Sequence, residues 1–154
     1  MIDNLKLIKH SIKVAFLSYI LAQQMNLSKK QCKNIFIAGL LHDVGKLKLN
    51  QSILNKKCKL SEKEYEYIKL HVNLGVQILK KYKISESIYK IVEQHHESND
   101  GTGYPNGLKK DRILVEARIL RIADVYDALT SNRSYRKKYT KKQAIRIMKD
   151  DEII

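Results

Sequence analysis

The chain has 154 residues, 30 Lys and Arg against 16 Asp and Glu, a net charge of +14 and one proline. Such a length makes one domain with one core, and near-absence of proline with little Val–Thr alternation favours helices. The longest apolar runs fall far short of a bilayer span, which excludes membrane insertion. No signal-peptide layout opens the chain, and Cys32 and Cys58 form no CxxC pattern, so reduced thiols and a cytoplasmic location are expected.

The lysines spread along the whole chain and read mostly as a solvated surface, whereas every arginine falls after residue 110. Arginine is the better bidentate phosphate clamp, so that bias points to an anionic partner. No nucleic-acid motif accompanies the charge, and nucleic acid is not the expected partner.

In chain order, residues from about 3 to 25 read as a helix with Leu7, His10, Val14, Leu17 and Leu21 on one stripe, which aims His10 at the core. Ser28 with Gln31 forms a capping box for a second helix through Ile35, Ala38, Gly39 and Leu41, ending in His42-Asp43-Val44-Gly45-Lys46 with Gly45 as a helix stop. A basic connection follows, with one short turn at Ile53-Leu54. Ser61 with Glu64 caps a third helix carrying Tyr65, Ile68, Val72, Val76 and Leu79, with His71 beside that face and Gly75 making room for it. Ser85 caps a fourth, with Ile84, Ile88, Ile91, Val92 and His95 on its stripe. Residues 97–111 are rich in turn chemistry around Gly101, Gly103, Pro105 and Gly107. A fifth helix carries Ile113, Ala117, Leu120, Asp124 and Ala128, and Thr140 with Gln143 opens a sixth.

All five histidines, His10, His42, His71, His95 and His96, stand where a metal site would want them, joined by Asp43 and by Asp124 and Asp127 on the apolar side of a helix. Imidazole with carboxylate is the ligand set of a hydrolytic transition-metal site. Inward-facing histidines and aspartates on separate helices need partners. Mutual hydrogen bonds would serve, but a shared metal explains them with fewer assumptions.

At these residues the chain resembles a known family. HDVGK at 42–46, His71, HHESNDGTGYPNGL at 95–108, HSIKV at 10–14 and ARILRIADVYDALTSNRSYR at 117–136 are similar to the HD-GYP branch of the HD-domain metal-dependent phosphohydrolases. The resemblance spans residues from about 10 to 146, and its long GYP loop is specific to that branch. It implies an all-α HD-domain bundle of about six helices, a single domain over 1–154 that stops before the family's usual last helix, and hydrolysis of cyclic di-GMP in bacterial second-messenger signalling. It also implies two divalent metal ions, Fe or Mn with Zn an alternative, held by His10, His42, Asp43, His71, His95, His96 and Asp124.

In the same resemblance Asp43 bridges the metals and Lys46 faces the reacting phosphate. Tyr104 contacts substrate, Arg133 grips phosphate, and Arg136 stands where some members have lysine. Tyr104 stacking on a guanine and Tyr104 merely pinning its loop remain equal readings, as do Asp127 as outer support of the metal site and Asp127 as a catalytic proton carrier. Three-metal members carry a glutamate one turn before the first histidine; here that position is Lys6, which favours two metals and a linear pGpG product over GMP. A phosphodiesterase for another cyclic dinucleotide, such as cyclic GMP-AMP, is the nearest alternative. A non-catalytic module that binds nucleotide, a diguanylate cyclase or a sensor domain is the alternative from another class.

Overall fold

The computed structural model describes residues 4–56, 58–132, 137–151 and 153. Among them are seven α-helices and no strand: α1 (Asn4–Gln24), α2 (Lys29–Leu41), α3 (Gln51–Leu54), α4 (Glu62–Lys81), α5 (Glu86–Gln94), α6 (Val115–Thr130) and α7 (Lys141–Asp150). Six correspond to the helices expected from periodicity. The additional one, α3, is a single turn at the short turn expected near Ile53, capped by the Asn50 side chain, which accepts from Ser52 N at 2.9 Å. No helix among the described residues is long and apolar enough to cross a membrane.

Local chemistry accounts for the starts. Ser28/Gln31, Ser61/Glu64 and Thr140/Gln143 each form the reciprocal capping box, so two orphan amides are paired at each of these ends. Ser85 precedes α5 in extended conformation but bonds Ser87 Oγ instead of a backbone amide. Asn26 and Lys83 turn the chain after α1 and α4 with φ of 57° and 55°.

Packing differs from the pattern reading on α1. Its buried stripe is Ser11, Val14, Ala15, Ser18 and Ala22; Leu7, Leu17 and Leu21 lie half-buried at its margins. The helix is apolar nearly all round, so periodicity alone does not select the inward face. Close approach to α2 selects small residues instead: a Cβ on Gly39 would lie 2.6 Å from the Ala15 Cα. The outer face keeps Leu5, Ile8, Ile12, Phe16 and Ile20 between 43% and 57% exposed.

Gly45 is not a left-handed helix stop. It lies in a 3-10 turn at Val44–Lys48, packed where a Cβ would collide with the His71 carbonyl oxygen and lie 2.6 Å from Gly75 N. Two glycines thus let the turn that bears Asp43 and Lys46 sit directly on α4. The main core, with Val14, Ile35, Ala38, Leu79, Ile91, Val92, Ile119 and Leu120, lies between α1, α2, α4, α5 and α6. It holds these helices with their histidines pointing to one place.

Candidate metal centre

Three histidines use the same local device. The Nδ1–H groups of His42, His71 and His95 donate to the carbonyls three residues earlier: Gly39 O at 2.8 Å, Ile68 O at 2.8 Å and Val92 O at 2.6 Å. A carbonyl only accepts, so Nδ1 carries a proton, and in the neutral ring Nε2 carries the lone pair. Those three Nε2 atoms and Asp43 Oδ1 are buried with no hydrogen-bond partner. Leaving such groups unpaired costs about 1–3 kcal/mol each. Lone pairs turned toward a common space are what a cation would satisfy.

The groups fall into two sets. His71, His95 and His96 offer one, and His10, His42 and Asp124 the other; within each, the ligand atoms lie within 4.8 Å of one another. Asp43 stands between them. Its Oδ2 is 3.4 Å from His42 Nε2 and 3.8 Å from His10 Nε2, and its Oδ1 is 3.5 Å from His71 Nε2. All seven residues implied as ligands by the family resemblance thus gather at one place, contributed by α1, α4, α6 and the turns that follow α2 and α5.

Electrostatics separates the two sets. Burial pushes His71 down and His95 well down, and it takes His96 down to about 3, helped there by His71 and Lys46. These rings are neutral and ready to donate electron pairs. For His10 burial works against charge, but its hydrogen bonds to Asp124 and Asp127 outweigh it and raise the ring to about 9. Burial would raise Asp43 and Asp124, yet Lys46 with His42 holds Asp43 well below the usual carboxylate range, and His10 with His42 does the same to Asp124.

Around the ligands stand their supports. Asp127 accepts from His10 Nδ1 at 2.7 Å, on the side of the ring away from Asp124, whose Oδ1 is 3.1 Å from His10 Nε2. This is the carboxylate–histidine arrangement that orients a metal ligand. Ser131 and Lys13 flank Asp127 in turn. Lys46, 27% exposed, places Nζ 2.6 Å from Asp43 Oδ2 at the edge of the cluster. Tyr104 stacks on His96, with ring centres 4.7 Å apart and planes at 29°. Arg133 and Arg136 lie outside the described residues. Lys6 is exposed on α1.

Pattern reading missed Glu97. It is 1% exposed, and its carboxylate accepts from Asn106 N at 2.7 Å and Leu108 N at 2.9 Å, folding the loop that carries Tyr104 back onto the end of α5. Arg121 ties the same place by donating to His96 O and Ser98 Oγ. The one available signal was the acidic residue directly after the paired histidines. Gly103 lets the loop lie against that segment, since a Cβ there would be 2.5 Å from both Glu97 Cα and His96 O.

The HD-domain family profile matches residues 2–152. The chain is 39% identical over 140 residues to a cyclic di-GMP phosphodiesterase of Pseudomonas aeruginosa, covering 90% of this chain and 34% of that one. It is 40% identical over 136 residues to 3'3'-cGAMP-specific phosphodiesterase 2 of Vibrio cholerae, covering 87% of this chain and 26% of that one. The chain thus spans only about a third and a quarter of those two relatives' own lengths. Among solved structures, an HDGYP protein of Bdellovibrio bacteriovorus superposes with a TM-score of 0.78 at 24% identity, over 95% of this chain and 47% of that one, and speaks for the fold.

Proposed function

The chain belongs to the HD-domain family and carries the motifs of its HD-GYP branch, and on that premise we propose that it is the hydrolytic domain of a two-metal phosphodiesterase acting on cyclic di-GMP, releasing linear pGpG. The observation that carries this reading is the pair of ligand sets meeting across Asp43, with buried Nε2 lone pairs facing a shared space. The donor set fits divalent cations of the Fe, Mn or Zn kind. Bound there, two such ions supply Lewis-acid chemistry, offsetting phosphate charge and making water a competent nucleophile near neutral pH.

The chain's own residues do the rest. His71, His95 and His96 would hold one ion, His10, His42 and Asp124 the other, and Asp43 would offer one oxygen to each. Asp127 orients His10 and is best assigned as its positioning residue, not as a proton carrier. Lys46 is within reach of both Asp43 and the solvent side, so its ammonium can pair with a phosphate oxygen. Arg133 and Arg136 are assigned to the phosphates, as arginines suit bidentate anion recognition. Lys6 stands where a third carboxylate ligand would be required, which supports two ions and slow onward cleavage to GMP.

The relative specific for 3'3'-cGAMP gives a second substrate its standing. The test uses anaerobically purified protein, elemental analysis, and product analysis on both cyclic di-GMP and 3'3'-cGAMP. Two ions per chain with pGpG as the early product is expected. Fewer than one tightly bound ion, or no turnover of cyclic di-GMP by ion-loaded protein, sinks the proposal; preference for 3'3'-cGAMP transfers it to the second substrate.

A further inference from the structure

Four of the five histidines are held by a hydrogen bond through Nδ1: three to a helix carbonyl, and His10 to Asp127. His96 makes no ring hydrogen bond among the described residues. A ligand ring needs some fixed support, because misorientation of the lone pair weakens binding directly. What surrounds His96 is a column of rings. His95 lies 3.9 Å away on one side, Tyr104 stacks at 4.7 Å, and His71 meets it edge-on at 5.2 Å.

Tyr104 is itself clamped. Its backbone N–H donates to His96 O at 3.1 Å, so the two residues are joined by main chain as well as by stacking. From α4, the Lys69 ammonium sits 5.4 Å from the centre of the Tyr104 ring and 4.9 Å from that of Tyr65, and it is held by Glu66 at 2.6 Å. A cation over an aromatic face and an offset ring stack are both attractive contacts, and here they stand where the other four rings have a hydrogen bond.

We propose that Tyr104 is a positioning residue for the metal ligand His96, with Lys69 holding Tyr104 in place, so that this pair sets the affinity of the ion bound by His71, His95 and His96. The assignment rests on the two-ion reading above. It gives the GYP tyrosine a task in the empty-handed enzyme, before any nucleotide arrives. The ring itself, not the hydroxyl, does this work.

The experiment loads wild type, Tyr104→Phe, Tyr104→Leu and Lys69→Leu with Mn2+, dialyses each against graded EDTA, and counts manganese per chain. Circular dichroism of the same samples checks the fold. Wild type and Tyr104→Phe should keep two ions to the same EDTA concentration. Tyr104→Leu should release one of the two at an EDTA concentration about tenfold lower or more, the usual scale for losing an outer support of a ligand. Lys69→Leu, a change on the helix surface, should shift the same release several-fold, and it decides the matter if Tyr104→Leu does not fold. Unchanged retention in Tyr104→Leu or, failing that variant, in Lys69→Leu overturns the inference, as does an equal loss in Tyr104→Phe. If wild type holds fewer than one ion, the two-ion reading falls with it; if wild type holds two and the variants retain them as wild type does, the positioning role falls alone.

Discussion

Replacing Glu97 by glutamine keeps shape and volume and changes two bonds. The carboxylate accepts the N–H groups of Asn106 and Leu108 at 2.7 Å and 2.9 Å in a place 1% exposed. Bonds to a charged acceptor are worth about 1.5–3 kcal/mol each, and a neutral one about 1 kcal/mol. Glutamine has one accepting oxygen, so one N–H keeps a weaker bond and the other faces an NH2 group. An unpaired buried donor costs about 1–3 kcal/mol. Relief of a buried charge offsets part of this, and the net loss should be about 3 kcal/mol. For a chain of this size 1 kcal/mol moves the midpoint by about 2–4 °C, so Glu97→Gln should melt about 6–12 °C lower. Thermal unfolding by circular dichroism measures the midpoint, and hydrogen exchange at Asn106 and Leu108 reports the loop itself. A midpoint within about 2 °C of wild type, with both amides as protected as before, would refute the reasoning.

Two further substitutions test the frame of the site. Asp43→Ala removes the carboxylate that stands between both ligand sets, so on the proposed two-ion reading bound metal should fall to one ion per chain or fewer and turnover of cyclic di-GMP should be lost, with helix content near normal; retained turnover would show that Asp43 is not the bridge. Gly45→Ala puts a methyl group against the His71 carbonyl and Gly75. Overpacking against backbone costs about 1–3 kcal/mol or more, and the shift of the turn bearing Asp43 should weaken Mn2+ retention along with the melting point; a variant as stable and as metal-retentive as wild type would contradict the contact.

Helix positions were legible because capping boxes and apolar spacing are local signals: Ser28/Gln31 and Ser61/Glu64 open α2 and α4 where sequence places them. The clustered histidines were legible as candidates because five histidines in a short chain are few enough to weigh one by one. What escaped depends on distance in space. The inward face of α1 is set by Gly39 of another helix, and nothing within α1 announces it. Glu97 looked like any acidic loop residue until the loop was seen folding onto it. Asp127 had two readings, and only its bond to the far nitrogen of His10 favours the supporting one. Gly45 and Gly75 lie 30 positions apart in sequence and touch only because a 3-10 turn packs on a helix.

His42 and His95 occupy the C-terminal caps of α2 and α5. Both helices therefore point their carbonyl ends at the ligand cluster. The aligned peptide dipoles place roughly half a negative charge at each such end. Adding Asp43 and Asp124, these helix ends and carboxylates make the space between the ligand sets attractive to cations, with Lys46 at its edge as the cationic exception. A phosphodiester is an anion. If the proposed two-ion phosphodiesterase reading holds, the order of arrival follows: ions first, nucleotide second. Chelation should then abolish nucleotide binding itself, along with the hydrolysis that follows it.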